Sequence, residues 1–181
     1  MALILAGVEA FAEEGLDKPS LDAICARAGY TRGAFYVHFK DREDFLVAVM
    51  EYVVGSLVEA LLGAAGQAVD LEQSIHTFAQ AVAGGMFPET GAVRSYHFFD
   101  ACMRSPKLRE RYVEMVSGAL ARTAEAVRKG QGDGSLREDL DARQVATLLA
   151  ALVIGAGNLS EMGVPYDVHA AAETLIRMLR P

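Results

Sequence analysis

Hydrophobic residues recur every three or four positions along most of this 181-residue chain, a spacing that places them on one face of a helix. The longest such stripe predicts a helix over residues 43–63, with apolar positions at Leu46, Val49, Met50, Val53, Leu57 and Leu61. Shorter stripes predict helices from Leu71 to Val82, over 91–104, from Leu108 to Val127, and over 141–161 and 166–179. Because no segment shows the sustained polar–apolar alternation of a strand, the predicted fold is all-α.

Residues 18–44 predict two short helices joined by a tight turn, with a third helix beginning just beyond. Ser20 is suited to cap the first helix, in which apolar residues then recur at helical spacing. Gly29 ends it, because glycine tolerates the left-handed backbone that such an end requires. Thr31 caps the second helix, which runs to about Phe39. This is the helix-turn-helix plan, whose second helix enters the major groove of DNA.

The same residues resemble the DNA-binding signature of TetR/AcrR-type transcriptional regulators. The match is nearly gapless across residues 1–47 and rests on Ser20, Leu21, Ile24, Ala28, Gly29, Thr31, Arg32, Gly33, Ala34, Phe35, Tyr36, His38, Phe39, Lys40 and Asp41. Cys25 and Tyr30 depart from the usual pattern, at positions where no DNA contact is expected. The resemblance implies an N-terminal three-helix DNA-binding domain, residues 1–46, and a C-terminal helical bundle, residues 47–181, for ligand binding and dimerisation. It also implies a repressor that leaves a palindromic operator when a small, largely apolar effector binds.

The net charge of −7 conceals a positive region within the motif. Residues 18–42 hold five basic against two acidic side chains, a net +3, so the remainder of the chain carries −10. Positive charge gathered in the motif, with negative charge elsewhere, would orient the protein on DNA. The five basic residues are Lys18, Arg27, Arg32, Lys40 and Arg42.

Eight motif residues are expected to contact DNA. Arg32 is expected to read a base edge, since its guanidinium can bind guanine O6 and N7 together. Thr31 is expected to contact a base or a phosphate, and Gly33 to let the DNA backbone approach closely. Ser20 and Arg27 are expected to contact phosphates. The resemblance implies further phosphate contacts at Tyr36, His38 and Lys40, where similar proteins bind phosphates. Phe35 and Phe39 are interpreted as core aromatics instead.

An effector site between the long helix and the three helices that follow it is implied by the resemblance. Its predicted lining consists of side chains suited to a bulky apolar ligand, namely Phe78, Met86, Phe87, Tyr96, His97, Phe99, Tyr112 and Met115. For each of these residues taken separately, burial in the core is the competing explanation. No cofactor is expected, and no metal, because His97 and Asp100 on one face do not make a metal site.

Residues 145–157 are apolar almost all the way around the predicted helix, so this helix must be buried on several sides. One face would pack on the chain's own core and another on a second subunit, with small residues allowing close approach. A central helix of a monomer is the alternative. The resemblance favours a homodimer, with an interface predicted at Leu148, Ala151, Leu152, Gly155, Leu175, Ile176 and Leu179.

Two other functional classes compete with a DNA-binding regulator. An enzyme is disfavoured, because the chain has no HExxH motif, no nucleophile elbow and no Walker loop after a strand. A helical adaptor that binds only proteins would leave the combination of Thr31, Arg32, Tyr36, His38 and Lys40 unexplained.

The remaining features concern the cellular compartment. The apolar N-terminal run lacks a basic flank and continues into Glu9, so it is interpreted as an amphipathic helix rather than a signal peptide. No uninterrupted apolar stretch reaches membrane-spanning length, so no membrane partner is expected. Cys25 and Cys102 are expected to be small buried apolar residues, not a disulfide framework or a zinc site. A cytoplasmic protein is expected, with double-stranded operator DNA, a small-molecule effector and a second copy of the chain as partners.

Overall fold

A computed structural model describes residues 1–84 and 93–181 of the chain. Within these stretches it contains nine helices and no strand, which confirms the predicted all-α class. The helices are α1 (Ala2–Glu14), α2 (Leu21–Arg27), α3 (Arg32–His38), α4 (Arg42–Leu62), α5 (Leu71–Ala83), α6 (Ser95–Arg104), α7 (Pro106–Gly132), α8 (Ala142–Glu161) and α9 (Val168–Leu179). Side-chain oxygens accept a backbone hydrogen bond and so begin α2, α3, α5, α8 and α9, from Ser20, Thr31, Asp70, Asp141 and Asp167 respectively.

The chain forms two compact units. The first comprises Met1–Ser56 and Gly91–Met115, and the second comprises Leu57–Thr90 and Val116–Pro181. Their division differs from the predicted domain boundary after residue 46, because Phe98 of α6 and Leu108 of α7 belong to the same buried core as α1–α4. The long helices α4 and α7 therefore each contribute residues to both units.

Aromatic rings form the centre of the first unit. Phe11 of α1, Phe35 of α3 and Phe45 of α4 are fully buried. The centroid of the Phe45 ring lies 6.0 Å from that of Phe11, 5.4 Å from that of Phe35 and 5.0 Å from that of Phe39. Such tilted and edge-on contacts hold the rings in fixed relative positions. The interpretation of Phe35 and Phe39 as core residues is confirmed.

Helix α1 approaches α4 closely at Gly7, where no side chain separates the two helices. A Cβ at this position would lie 2.5 Å from Cζ of Phe45 and 3.1 Å from Cγ2 of Val49. Because the Phe45 ring is enclosed by other aromatic rings, it has no free space into which to move. Glycine is thus required here by packing.

Arg42 stabilises the connection between α1 and α2. Its two terminal guanidinium nitrogens donate to the carbonyl oxygens of Pro19 and Leu16, each at 2.6 Å, and the guanidinium lies 5.6 Å from the centroid of the Phe11 ring. Burial lowers the pKa of Arg42. One of the five basic residues counted in the motif therefore faces inwards, and the positive charge available to DNA is smaller than the sequence indicated.

In the second unit, α5 packs against α9. Leu71, Leu149 and Leu179 share its buried core. Arg180 donates to both carboxylate oxygens of Glu72, at 2.7 and 2.9 Å, which links the end of the chain to the start of α5.

Helix α7 continues to Gly132, beyond Val127, the last position of its predicted apolar stripe. The chain folds back directly after it, and the amide of Leu136 donates to the carbonyl oxygen of Gly130 at 2.9 Å. A Cβ at Gly130 would lie 2.7 Å from the Leu136 side chain. Gly130 therefore serves packing inside a helix.

Two predicted helix starts also differ from the structure. Helix α6 begins at Ser95 and not at residue 91, since Val93 and Arg94 are not helical. Helix α9 begins at Val168 and not at residue 166, because Asp167 supplies its N-cap.

No uninterrupted apolar stretch reaches membrane-spanning length, but two helices pass a test of length and overall composition. Among the described residues, Arg42–Leu62 and Ala142–Glu161 are each long and apolar enough to cross a membrane, by length and composition alone. The core helix of a soluble protein passes the same test. In α4 the apolar side chains of Phe45, Val49 and Met50 are fully buried in the first unit, although only 17% of its most apolar window is buried.

Both cysteines are free thiols buried in the first unit, which confirms their interpretation as small apolar residues. Burial raises the pKa of Cys25 and of Cys102. A raised pKa disfavours the reactive thiolate, so neither residue has the environment of a nucleophile.

Candidate nucleic-acid interface

Helices α2 and α3 are joined by a compact turn whose geometry is set by local hydrogen bonds. Gly29 has a φ of +72°, and the amide of Tyr30 donates to the carbonyl oxygen of Cys25 at 2.8 Å. The Ser20 hydroxyl accepts from the amide of Ala23 at 3.1 Å. The Thr31 hydroxyl accepts from the amide of Ala34 at 3.2 Å. Each hydroxyl keeps its own O–H, so Ser20 and Thr31 can still donate to a phosphate.

Helix α3 has one buried and one exposed face. Phe35 is fully buried, and Tyr36 is half exposed while its ring meets that of Phe35 edge-on at 5.4 Å. A Cβ at Gly33 would meet no described atom closer than the Thr31 hydroxyl oxygen, at 3.8 Å. The chain itself therefore does not require glycine at this position, although glycine costs about 1 kcal/mol inside a helix.

Arg32 extends from α3 to an acidic residue on α2. One of its guanidinium nitrogens donates to a carboxylate oxygen of Asp22 at 3.0 Å, and both side chains are exposed. Hydrogen bonding with Tyr36 and the charge of Asp22 raise the pKa of Arg32. A base contact by Arg32 would therefore compete with Asp22.

Arg27 lies in a different environment from the one its predicted role needs. Its guanidinium donates to Glu13 of α1 at 2.7 Å and lies 3.8 Å from Glu9. The ion pair with Glu13 raises the pKa of Arg27 and lowers that of Glu13. Arg27 thus connects α2 to α1, and two carboxylates already neutralise the charge that it was predicted to offer to phosphate.

His38 and Lys40, at the end of α3 and just beyond it, are both exposed. The backbone amide of Lys40 donates to the carboxylate of Asp44 at 3.2 Å, and this hydrogen bond is the main cause of the lowered pKa of Asp44. Within the described part of the chain, neither Lys40 nor Lys18 has an ion pair. These two lysines are the basic groups of the motif most available to an anionic partner.

The predicted effector-lining residues fall into three groups. Tyr96, His97, Phe99, Tyr112 and Met115 all lie in the first unit. The Phe99 and Tyr112 rings meet edge-on with centroids 5.8 Å apart. The ring centroids of Tyr96 and His97 are 4.3 Å apart. Burial raises the pKa of Tyr112.

Phe78, Met86 and Phe87 complete the predicted lining. Phe78 lies on α5, in the second unit. Met86 and Phe87 lie outside the residues that the structure describes.

Contacts between α6 and the DNA-binding helices were not foreseen. Arg104 pairs with Asp17, between α1 and α2, at 3.0 Å, and the Ser105 hydroxyl donates to Glu43 of α4 at 2.5 Å. The ring of His97 lies 3.3 Å from the position that a Cβ on Gly15 would occupy. The partners of the first two contacts are 87 and 62 residues apart in the chain, and no local pattern signals such pairs.

The predicted dimer residues divide into exposed and buried ones. Leu148 and Leu152 on α8 are 64% and 52% exposed, with Ala151 also exposed and Gly155 partly so. On α9, Leu175 is partly buried and packs on the core of the second unit. Ile176 and Leu179 are buried at 4% and 7% exposure, so their prediction as interface residues is wrong. Their side chains face α5 and the chain's own core.

Two further exposed apolar residues of α8 and α9 were missed. Leu159 continues the spacing of Leu148, Leu152 and Gly155 along α8, and Met178 lies on the outer side of α9. A Cβ at Gly155 would meet no described atom within 4 Å. Leu148, Leu152 and Leu159 therefore form an exposed apolar stripe along α8, and Gly155 leaves a gap in it where no side chain projects.

Similarity to known proteins was found along most of the chain. The family described as bacterial regulatory proteins, tetR family, matches residues 3–49, and the tetracyclin repressor-like C-terminal domain matches residues 97–175. The HTH-type transcriptional repressor BepR of Brucella suis biovar 1 (strain 1330) is 27% identical over 192 residues, covering 99% of this chain and 90% of BepR.

Two solved structures share the fold over nearly the whole chain. SmeT, the repressor of the Stenotrophomonas maltophilia multidrug efflux pump SmeDEF, is 26% identical with a TM-score of 0.66, covering 98% of this chain and 86% of SmeT. E. coli NemR in its reduced form is 20% identical with a TM-score of 0.76, covering 98% of this chain and 95% of NemR. The two capped helices and the turn at Gly29 form a helix-turn-helix, in agreement with the similarity to these regulators. The chain belongs to the TetR family of bacterial regulatory proteins and is a DNA-binding transcriptional regulator.

Proposed function

We propose that this regulator is a cytoplasmic, homodimeric repressor that binds a palindromic operator through α3 and releases it when a small apolar effector binds. The observation that carries the DNA-binding part is the exposed face of α3, where Gly33 is not required by the chain and Tyr36 and His38 are accessible. Lys40 is exposed just beyond the end of this helix. The repressor assignment is supported by similarity to BepR over 99% of this chain.

Phosphate contacts are assigned to the exposed groups at the two ends of the motif. Ser20 and Thr31 keep hydroxyl protons for phosphate oxygens, and Tyr36 has a half-exposed phenol. His38 and Lys40 complete this set. Gly33 allows the DNA backbone to approach α3, while Arg32 leaves Asp22 to bond a guanine edge.

Changing Lys40→Ala or Tyr36→Phe is expected to weaken binding to all duplexes. Lys40→Ala should also reduce the slope of log K against log salt by about 1 for each subunit. The reason is that each phosphate contact removed lowers by about one the number of counterions released from the DNA on binding. The measurement is fluorescence anisotropy at several salt concentrations, using the DNA that flanks the gene. Lys129→Ala, an exposed lysine at the end of α7, is the matched control and should change neither quantity.

Arg32→Ala is expected to act differently, by relaxing the preference at one position of each half-site at a cost of roughly 1–3 kcal/mol per base contact. Selection from a random duplex library with native and variant protein measures this preference. An equal loss of affinity for specific and random duplexes would remove the base-reading role of Arg32 and leave it a phosphate contact.

The dimer is assigned to the exposed stripe on α8 and α9. Leu148, Leu152 and Leu159 offer apolar surface, while Ala151 and Gly155 between them leave room for a partner helix. An isologous contact of this kind places two α3 helices on one molecule, as a palindromic operator requires.

Control by an effector is assigned to the aromatic group of α6 and α7 in the first unit. Phe99 and Tyr112 contact each other there. Arg104 of α6 pairs with Asp17, and Ser105 directly after α6 donates to Glu43 of α4. A ligand that displaces α6 or α4 would alter the spacing of the two α3 helices, which must be about 34–36 Å or a multiple of it. Binding of effector and of operator would then oppose each other with one shared coupling energy, typically about 1–3 kcal/mol.

Phe99→Ala or Tyr112→Ala is expected to change the response to effector while DNA affinity without effector stays nearly the same. A compound is first found by thermal-shift screening of small apolar molecules and is then titrated into the protein with and without operator. Met103→Ala, an exposed residue of the same helix α6, should leave both affinities unchanged. Equal effector affinity in the two titrations would rule out release by that compound.

A further inference from the structure

Val37 is the residue of α3 whose exposure the motif does not explain. Its side chain is 79% exposed, more than that of any other large apolar residue that the structure describes. Valine is also a poor choice for helix formation alone, because its branched Cβ loses rotamer freedom in a helix. The assigned DNA contacts of the motif do not include it.

Position on the helix shows where Val37 points. Phe35 is buried and marks the inner side of α3. Gly33 and Val37 lie two residues before and after it, so at about 100° per residue each is about 160° around the helix from Phe35. Arg32 and Tyr36 lie about 60° and 100° around the helix axis from Phe35, both on the same side of α3. Val37 is therefore the outermost side chain of α3, with Gly33 one turn before it.

A helix that lies in the major groove turns its outermost ridge towards the base edges on the groove floor. The absence of a side chain at Gly33 lets this ridge approach the floor closely. An apolar side chain there finds one apolar group among the bases, the C5-methyl of thymine, since the other edges present hydrogen-bond donors and acceptors. Polar edges opposite Val37 would lose water without gaining a hydrogen bond.

We propose that Val37 reads a thymine in each half-site by contact with its C5-methyl group, and is thus a specificity-determining residue. This inference rests on the proposed docking of α3 in the major groove. It predicts that the preferred operator carries a thymine at the position opposite the C-terminal end of α3. At this position the protein should distinguish thymine from uracil, although their hydrogen-bonding groups are identical.

The test exchanges each thymine of the selected operator for deoxyuridine, symmetrically in both half-sites, and measures affinity by anisotropy with the full-length protein. At one position the exchange should weaken native binding by about fourfold per half-site, the effect of one buried methyl group. Val37→Ala should bind the thymine and uracil duplexes equally well. Val113→Ala, an exposed valine of α7, is the control and should keep the native discrimination.

The possible failures are distinguishable. Selective operator binding with no effect of uracil at any position would overturn the inference and leave the proposed function intact. If Val37→Ala weakened thymine and uracil duplexes by the same factor, Val37 would contact sugar or backbone and the inference would also be wrong. A native protein that binds every duplex equally would contradict the proposed function itself. Thermal melting of Val37→Ala, expected to match native protein, excludes loss of the fold as the cause.

Discussion

Ala151→Arg is expected to convert the dimer into monomers and to abolish operator binding at concentrations where the native protein binds fully. Ala151 is exposed on α8 between Leu148 and Leu152, in the centre of the proposed interface. Across a two-fold axis the change introduces two guanidinium groups into an apolar contact, and an unpaired buried charge costs several kcal/mol, roughly 3–5. A monomer presents one α3 to the operator and loses the second half-site.

Sedimentation velocity at micromolar concentration measures the first effect, and anisotropy with operator DNA measures the second. Ala121→Arg is the matched control, because Ala121 is an exposed alanine of α7, a helix to which the proposed interface is not assigned. It should remain dimeric. A native protein that sediments as a monomer under these conditions would contradict the proposed assembly.

Gly7→Ala is expected to destabilise the protein, although alanine is the better helix former. The new Cβ would lie 2.5 Å from Cζ and 2.9 Å from Cε1 of Phe45. Phe45 is fully buried against Phe11, Phe35 and Phe39, so either strained rotamers or a shift of α1 must follow. Such overpacking costs about 1–3 kcal/mol. This exceeds the propensity gain of at most about 1 kcal/mol.

Gly118→Ala supplies the opposite result and serves as the control. Gly118 is an exposed residue within α7, and a Cβ there would meet no described atom within 4 Å. The same chemical change should therefore stabilise the protein, by about 0.5–1 kcal/mol. Urea unfolding of the two variants measures both free energies. Equal stabilisation by the two alanines would show that α1 does not approach α4 as closely as described.

What the sequence alone determined lies within single helices and short turns. The hydroxyls of Ser20 and Thr31 cap helices three residues away, and Gly29 adopts the positive φ that its place after α2 required. The apolar spacing of α4 and the inward position of Phe35 follow equally from the 3.6-residue period. These features depend on residues at most four positions apart, so the motif could be recognised from the chain itself.

The tertiary structure decided how side chains are used when their partners are distant in the chain. Arg27 and Arg42 looked like surface cations, yet one pairs with Glu13 of α1 and the other is turned towards backbone carbonyls. An arginine has the same local sequence signal whether it meets phosphate or a neighbouring helix. Only the packing of α1 against α2 and α4 distinguishes these two roles.

The same limit applies to the apolar helices. Leu148 and Leu179 are both leucines at apolar helix positions, but the first is 64% exposed and the second 7%. Periodicity identifies apolar positions, while the choice between the chain's own core and a partner depends on which neighbouring helix covers them. Here α5 packs on α9 and buries Ile176 and Leu179, whereas Leu148 and Leu152 on α8 remain uncovered.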